Sequence, residues 1–452
     1  GYAELIAPLV EDKPGFHSLT VEGGVRYSRY KVDAPTFGNP TNETWTYKAG
    51  LTWEPIEDIK LRGNYARAVR APNIFEMFNP LTTVLTNLGI DPCAGAAPTG
   101  NPQLAAVCIA QGAPVGTIGS ITNPTAAQAN ITTGGNPLLK PEKATTWTAG
   151  IVLQPAILPG FSMSLDYYNI KVKDVIGAPL PGDLIDACFG SITAASVNDP
   201  DCTVIGRNPL TGGLDGDPAT TSGLFAPLSN QGKLFTDGFD LIANYNRDLG
   251  FAKLALSFVG NHTRSSKFKA TPTALDRECA GFYSVNCSFT GSIQPKWQFS
   301  QRTTLSFGAV DVSLLWRWID KVRFEPAQLA ADAAAADAAN RDANGNLLPI
   351  DLARIGQAGF QGCPNFATSD EGACMVEEEF RTIGAASYFD LSARFNVADN
   401  LTFTVAVQNL ADKKPKVLGN TIGSTSYNSG NVYPSTYDAL GRRYAVSAKL
   451  KF

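Results

Sequence analysis

The chain has 452 residues, of which 44% are hydrophobic and 17% charged, and its formal net charge is −4. This composition is too apolar for a disordered chain, and the negative charge gives no support to a nucleic-acid partner. No run of about 18 apolar residues is present, which excludes membrane-spanning helices but leaves membrane-spanning strands open.

Alternation of apolar and polar residues along the whole chain predicts about thirteen β-strands, the last of them at residues 444–452. Each has one apolar face, and each is long enough to cross a bilayer at a tilt (about 9–11 residues). The strands of a soluble β-sandwich show the same period, so the alternation alone leaves both folds open. Tryptophans at or near predicted strand ends are typical of the aromatic girdles of membrane barrels. They are Trp45, Trp53, Trp147, Trp297 and Trp318.

The predicted connections alternate between short turns and long loops. Outer-membrane barrels place short turns at one rim and long loops at the other, whereas loops of this length are anomalous in a soluble sandwich. The pattern therefore favours an all-β, transmembrane, antiparallel β-barrel. The long connections lie at about 72–141, 173–235, 268–292, 322–383 and 412–437, with a smaller one at 32–42.

Eight cysteines fall as four local pairs, each within one long loop. Even numbers and local spacing predict loop-closing disulfides in an oxidising compartment, each stabilising by about 2–3 kcal/mol on the chain-entropy model. Metal sites are the alternative, but no Cys-x-x-Cys occurs, and the two histidines, His17 and His262, lie far from every pair in sequence. We therefore predict no metal site. The predicted disulfides are Cys93–Cys108, Cys188–Cys202, Cys279–Cys287 and Cys363–Cys374.

Three motifs, in order, resemble those of TonB-dependent outer-membrane receptors. The segment 65–78 contains Arg-Ala-Pro, and the segment 135–142 reads Gly-Asn-Pro-Leu-Leu-Lys-Pro-Glu. The segment 407–412, leading to a terminal Phe452, is similar to the closing strands of that family. The resemblance covers essentially the whole chain.

The resemblance implies a barrel of 22 strands, filled by an N-terminal plug, in the outer membrane of a Gram-negative bacterium. This chain has no plug and no TonB box, and thirteen alternating strands place the first and last in the same direction. We therefore expect residues 1–452 to be the C-terminal portion of the barrel. The expected partners are outer-membrane lipid, the plug and remaining strands, the TonB energy-transducing complex and a small-molecule or oligosaccharide ligand.

The function that the resemblance implies is active, TonB-dependent uptake of a scarce nutrient: a ferric siderophore, cobalamin or an oligosaccharide. Nothing in the sequence selects among these ligands, although two histidines make haem less favoured. A passive porin is the alternative, and a barrel enzyme or adhesin is a third hypothesis. No Ser/His/Asp constellation is visible, so we expect neither enzymatic activity nor a cofactor.

Two sets of candidate residues follow. Charged residues on the polar strand faces are expected to meet the plug or line the lumen, unless they only form a solvated wall. They are Lys48, Arg62, Arg70, Asp166, Arg302, Arg317 and Arg394. Loop aromatics are expected to stack on a ligand, unless they pack the loops against one another. They are Phe75, Phe78, Phe225, Phe282, Tyr283, Phe324, Phe360, Tyr427, Tyr433 and Tyr437.

Other loop features have ambiguous roles. Glu76 and Glu142 sit beside motif prolines, where turn structure explains them as well as binding does. The alanine-rich segment 327–339 predicts a short helix, as a spacer or a lid. The acidic run 377–379 is interpreted as a solvated face.

Overall fold

The computed structural model describes residues 1–33, 35–272, 274, 276–284, 287, 292–325, 380–418 and 432–451. Several sequence predictions fall outside this part of the chain. They concern Phe360, Cys363, Cys374, Tyr427, Phe452, the alanine-rich segment 327–339 and the acidic run 377–379.

Thirteen long strands build the main sheet; all strands are numbered along the chain. Those of the main sheet are β1 (Tyr2–Lys13), β2 (Phe16–Lys31), β3 (Thr41–Ile56), β4 (Ile59–Arg70), β7 (Glu142–Leu153), β8 (Phe161–Gly177), β11 (Ser229–Asp248), β12 (Lys253–Lys269), β15 (Trp297–Phe307), β16 (Val310–Ile319), β19 (Ala386–Ala398), β20 (Leu401–Gln408) and β21 (Arg443–Leu450). The shorter strands lie in the long loops. They are β5 (Thr82–Asn87), β6 (Gln128–Thr133), β9 (Ile205–Gly206), β10 (Gly223–Phe225), β13 (Arg277–Glu278), β14 (Phe282–Tyr283), β17 (Val322–Phe324) and β18 (Thr382–Ile383). Of these, β13 pairs with β12 and is a fourteenth, two-residue strand of the main sheet.

Helices are short and lie in the loops. They are α1 (Ile74–Phe78), α2 (Ala97–Gly100), α3 (Pro102–Ala110), α4 (Pro181–Phe189) and α5 (Pro200–Thr203), with 3-10 turns at Pro35–Phe37, Val115–Thr117, Thr125–Ala127 and Ser196–Asn198. Asn101 caps α3 by accepting hydrogen bonds from the N–H groups of Gln103 and Leu104. Pro102 suits the first position of the helix because it has no N–H group that needs a partner. None of the helices in the described part of the chain has the length and apolarity needed to cross a bilayer.

The main sheet is an antiparallel meander in which the long strands pair in chain order, from β1 to β21. Connections of a few residues join one set of strand ends, which we call the short-turn rim. The connections 32–40, 71–141, 178–228, 270–296, 320–385 and 409–442 leave from the opposite ends, the long-loop rim. The predicted alternation is therefore present, with differences of extent. The largest is that 173–177 and 229–235, predicted as loop, continue β8 and β11; residues 41–42 and 268–269 likewise belong to β3 and β12.

The strand register gives the sheet two distinct faces. One row across five strands reads Trp53, Leu61, Ile151, Leu165 and Leu241, and defines the apolar face. The adjacent row reads Thr52, Arg62, Gly150, Asp166 and Asp240, and defines the polar face.

The apolar face remains solvent-accessible in the described part of the chain, with Leu51 48% and Val446 75% exposed. A sandwich would cover it with a second sheet, whereas a membrane barrel turns it to lipid. Aromatic pairs lie at both of its ends, Phe16–Trp53 at the short-turn rim and Trp147–Tyr167 near the long-loop rim. The sheet is thus organised as a transmembrane barrel wall rather than as a soluble sandwich.

The long loops fold into two lobes at the long-loop rim. The first lobe comprises residues 71–141 and 178–228, whose strands form one sheet in the order β5-β6-β10-β9. Parallel pairing of β6 with β10 joins the two loops. The second lobe comprises the described parts of 270–296, 320–385 and 409–442, with a small sheet in the order β14-β17-β18. Disulfides Cys93–Cys108 and Cys188–Cys202 close the first lobe, and Cys279–Cys287 lies in the second.

Candidate functional site: the long-loop rim, its lobes and the polar face

Three residues from two of the sequence motifs meet at the long-loop rim. Arg70 ends β4 and lies opposite Glu142, the first residue of β7. Its guanidinium donates to both oxygens of Glu142 at 2.7 Å and to Glu76 at 2.9 Å. Glu142 also accepts the backbone N–H of Ile176 at 2.7 Å, so the contact reaches β8. This cluster, the rim clamp, ties three strand ends to the start of the first lobe.

Glu76 is held from a second side by its own helix. It accepts the N–H of Asn73 at 2.8 Å, while Asn73 accepts the N–H of Glu76 at 2.8 Å, a capping box at the start of α1. Burial raises the pKa of Glu76, but the hydrogen bonds from Arg70 and Asn73 outweigh it and hold that pKa below its ordinary value. The rim clamp accounts for Glu76 and Glu142 structurally.

The polar face carries ion pairs that span neighbouring strands. Arg62 donates to both oxygens of Asp166, at 2.8 and 2.6 Å, across the intervening strand β7. The residue between them is Gly150, and a Cβ there would overlap the Asp166 carboxylate. Lys48 and Glu4, 3.6 Å apart, meet across Gly24 in the same way. Glycine in the middle strand thus permits charged side chains two strands apart to pair.

The remaining candidates of the polar face are also partnered. Arg394 pairs with Asp311, and Arg317 lies 3.4 Å from Asp390. Arg302 donates to Ser313 Oγ at 3.1 Å. All seven charged candidates therefore lie on one face of the sheet, held by neighbours rather than projecting singly. Their contact with a plug stays a prediction.

Four of the ten aromatic candidates are buried in the second lobe. Tyr283, Phe324, Tyr433 and Tyr437 belong to one hydrophobic cluster. Tyr283 packs edge-on against Phe324 at 5.4 Å and against Tyr433 at 6.0 Å. Burial raises the pKa of the Tyr283 and Tyr437 phenols. Stacking on a ligand needs an accessible ring, so packing of the loops, the alternative role, describes these four.

Other aromatic candidates remain accessible on the first lobe. Phe75 is 81% exposed, Phe78 44% and Phe225 38%, while Phe282 of the second lobe is half-buried. Phe75 and Phe78 lie on α1, beside the rim clamp. These rings are the candidate ligand contacts that the structure leaves available.

A buried ion pair fixes the interior of the first lobe. Arg207 donates to both oxygens of Asp91, at 2.6 and 2.8 Å, and both side chains are fully buried. The remaining nitrogen of Arg207, Nε, donates to Gln111 at 2.8 Å. These residues lie about a hundred positions apart, so local sequence patterns gave no sign of the contact.

The two lobes face each other through charged groups. Arg277 lies 2.9 Å from Glu325 within the second lobe. It also interacts electrostatically with Asp183 on α4 of the first lobe. Burial raises the pKa of Asp183; Arg277 opposes this effect and neighbouring Asp186 adds to it, leaving the pKa above its ordinary value.

No group of three His, Cys, Asp or Glu side chains in the described ranges is placed to hold a metal ion. The described part of the rim offers exposed rings, ion-paired side chains and loops closed by disulfides, which are groups suited to recognition.

Comparisons with known proteins agree with this architecture. A family model described as the TonB-dependent receptor-like β-barrel matches residues 9–410. No curated protein sequence matches the chain. Among solved structures, a mutant of the ferric enterobactin receptor PfeA from Pseudomonas aeruginosa is 15% identical with a TM-score of 0.51, covering 100% of this chain and 45% of that one. The FrpB iron transporter from Neisseria meningitidis (F3-3 variant) is 14% identical with a TM-score of 0.50, covering 100% and 44%.

Identities this low show the fold alone, and the chain spans less than half the length of these two solved structures. The family model covers most of the chain, and the two motif segments that meet in the rim clamp lie inside the matched range. The chain therefore belongs to the TonB-dependent receptor β-barrel family.

Proposed function

We propose that this chain forms part of a receptor for TonB-dependent active uptake across the outer membrane of a Gram-negative bacterium. The observation that carries the proposal is the family match over residues 9–410. The ion-paired polar face and the lobes above it suit a protein that captures a ligand before it moves through the barrel. The transported class is a scarce nutrient: a ferric siderophore, cobalamin or an oligosaccharide.

We propose further that the barrel is completed by other strands and filled by a plug. In the order of the described main sheet, β1 and β21 are the end strands. Thirteen alternating strands point β1 and β21 in the same direction, and unpaired strand edges are not tolerated in lipid. The chain is then the C-terminal portion of a longer receptor, coupled through the plug to the TonB complex.

Immunoblotting tests the size of the native receptor. An antibody against this chain should detect, in the outer-membrane fraction, a protein well above 48.0 kDa. A native protein of 48.0 kDa that is fully assembled in the membrane would contradict the proposal that further strands complete the barrel.

Uptake assays test the transport mechanism. Deleting the receptor should abolish growth on one of the three nutrient classes, with ferric siderophores tested first because the names of the solved neighbours include ferric enterobactin and iron. Deleting TonB should abolish the same growth. Uptake that survives loss of TonB, together with single-channel conductance of an open pore, would favour a passive porin instead.

The exposed rings of α1 provide a residue-level test. Replacing Phe75 and Phe78 with Ala should weaken ligand binding by about tenfold, because each stacked ring contributes about 0.5–1.5 kcal/mol. The matched control is Phe251→Ala, an exposed aromatic at the short-turn rim. Equal binding by the double variant and the control would remove α1 from the ligand site.

A further inference from the structure

Lysines form a row across four strands of the main sheet, just below the long-loop rim. Lys143 lies opposite Lys173, Lys173 opposite Lys233, and Lys233 opposite Lys269. In the next row towards the middle of the sheet, Lys171 and Lys267 flank Phe235. We call these six residues the lysine band: Lys143, Lys171, Lys173, Lys233, Lys267 and Lys269.

The lysine band lies on the apolar face, next to its aromatic residues. Lys143 is four residues from Trp147, and Lys171 is four from Tyr167, so alternation puts each lysine on the face of its aromatic neighbour. Four residues of strand are about 13 Å. Aromatic girdles lie at the level of the lipid head groups, so the lysine band lies at or just beyond that level.

The two faces exchange polarity at this level. On the polar face, the row between the two lysine rows reads Ala144, Val172, Leu234 and Phe268, all apolar. In the middle of the sheet the apolar residues are on the other face. This exchange of polarity between the two faces indicates that the hydrocarbon layer ends between the middle of the sheet and the lysine band.

Charge in the lysine band is only partly neutralised by the protein. Lys143 lies 2.7 Å from Asp174, Lys267 lies 3.6 Å from Asp276 with Glu278 opposite it in the register, and Lys269 interacts electrostatically with Asp183. In the described ranges, the central lysines at 171, 173 and 233 have no carboxylate within ion-pair distance. Like charges directly opposite each other destabilise a sheet, and the row contains three such pairs in succession.

The opposite end of these four strands, and of β4 beside them, has no row of lysines on the apolar face. Lysine side chains can reach towards water at either boundary of a membrane. If that were the reason for the lysine band, lysines would be expected at both ends of these strands. Instead, the apolar-face positions at the short-turn end of β4, β7, β8, β11 and β12 include one charged residue, Arg247. These positions are Ile59, Leu61, Ile151, Leu153, Phe161, Met163, Tyr245, Arg247 and Leu254.

We propose that the lysine band binds the phosphate groups of anionic lipid head groups in the leaflet at the long-loop rim. Lysine binds phosphate as a point charge, and clustered lysines near a membrane surface attract anionic lipid. Four strands about 4.8 Å apart spread the row over roughly 14 Å, which suits a head group with more than one phosphate. A second copy of the chain is a poor partner for this surface, because a symmetric contact would bring the lysines of the two copies together. The proposal rests on the membrane placement in the proposed function, but not on the transported nutrient.

Lipid binding is tested on the full-length receptor purified from outer membranes, with the phosphorylated glycolipid lipid A as probe. Lipid A should raise the melting temperature in zwitterionic detergent, and native mass spectrometry should show it bound to one protomer. Binding should weaken at high salt, because the contacts are electrostatic. Replacing Lys171, Lys173 and Lys233 with Gln should weaken binding at least tenfold.

The matched control replaces three lysines of the polar face near the short-turn rim, Lys253, Lys449 and Lys451, with Gln. It should bind lipid A as the wild type does. Without anionic lipid, the lysine-band variant should melt at a higher temperature than the wild type, because repulsion is relieved. Lys173→Gln alone, which removes two Lys–Lys oppositions, is a second variant should the triple variant fail to assemble.

The proposal would be overturned if lipid A raised the melting temperature of the lysine-band variant as much as that of the wild type. An equal rise from inorganic phosphate, or from lipid A stripped of its phosphates, would overturn it as well. A dimer through this face, seen in the native mass spectrum, would also do so. Intact lipid binding by a receptor whose deletion leaves TonB-dependent uptake unchanged would instead contradict the proposed function alone.

Discussion

The two lobes at the long-loop rim are stabilised in different ways. The first lobe has two disulfides, a mainly aliphatic interior and the fully buried Asp91–Arg207 pair. The core of the second lobe combines three buried tyrosines and a phenylalanine with Tyr388 of β19 and several aliphatic side chains. Each lobe holds a buried ion pair, Asp91–Arg207 in the first and Arg277–Glu325 in the second. The second lobe adds several large buried aromatic rings, whereas the first adds two disulfides and mainly aliphatic side chains. Substitutions should therefore have unequal effects in the two lobes.

The largest effect is expected from Arg207→Met in the first lobe. It leaves Asp91 buried without its partner, which costs about 3–5 kcal/mol. Hydrogen exchange of the peptides containing α3 and β9 should rise by orders of magnitude, while β14 and β17 keep their protection. Adding Asp91→Leu should restore most of the protection, because the unpaired charge is gone. Unchanged exchange in the single variant would show that the pair is not essential to the lobe.

Disulfide removal should rank next. Replacing Cys188 and Cys202 with Ser should cost about 3 kcal/mol, and replacing Cys279 and Cys287 about 0.5 kcal/mol less, because the second loop is shorter. Resistance of each lobe to proteolysis, measured on the purified receptor, checks the order. A larger loss from the second lobe would mean that loop-closure entropy is not the main contribution.

A smaller, pH-dependent effect is expected where the lobes meet. Because the pKa of Asp183 is raised in the folded state, that state binds the proton more tightly than the unfolded state does. The stability of α4 should therefore fall as the pH rises through the ordinary pKa and then the raised one, with the full penalty present at neutral pH. The protection factors of the α4 amides, which are corrected for intrinsic exchange at each pH, should rise on mild acidification. Asp183→Asn should reduce that dependence, and the raised pKa of Asp186 should account for the remainder. Protection factors of α4 that fall at acid pH would contradict the expected direction of the pH dependence.

The smallest effect is expected from Tyr437→Phe. In the described part of the chain, the Tyr437 hydroxyl is buried without a hydrogen-bond partner. Its removal should leave the free energy of unfolding unchanged or raise it by up to about 1 kcal/mol. The matched control is Tyr388→Phe, which loses a bond from the Asp438 N–H at 3.2 Å and should cost about 0.5–1.5 kcal/mol. Thermal melting of the second lobe distinguishes the two variants. Equal losses of stability in both would contradict the expected difference between the bonded and the unbonded hydroxyl.

Much of the barrel wall was predictable, because period-two alternation and local cysteine spacing are encoded within a few residues of each strand or loop. The contacts of the lobes were not. Asp91 and Arg207 meet because β6 pairs with β10, and nothing near either residue in sequence signals a partner 116 positions away. Burial of Tyr283 and Tyr433 likewise depends on loops that converge only in the fold. Loop aromatics therefore looked alike in sequence, although some are core residues and others are exposed.

The rim clamp shows what motif similarity could and could not supply. The motifs identified Arg70, Glu76 and Glu142 as residues of interest, but not their mutual contact. Strand register supplied that contact, because β4 and β7 pair directly although 71 residues of loop separate them. The lysine band is a second case: its members are scattered in sequence and become neighbours only across strands.

Parallel pairing of β6 with β10 has a consequence for the order of assembly. The two loops that supply these strands are separated in the chain by the hairpin of β7 and β8. Each disulfide of the first lobe spans at most 15 residues, so oxidation can occur within one loop of a chain that has not yet entered the membrane. Closure of β6 on β10, and with it burial of Asp91 against Arg207, must await the intervening hairpin. We expect the first lobe to be oxidised early and completed late, which makes its last step a report that this part of the barrel has formed.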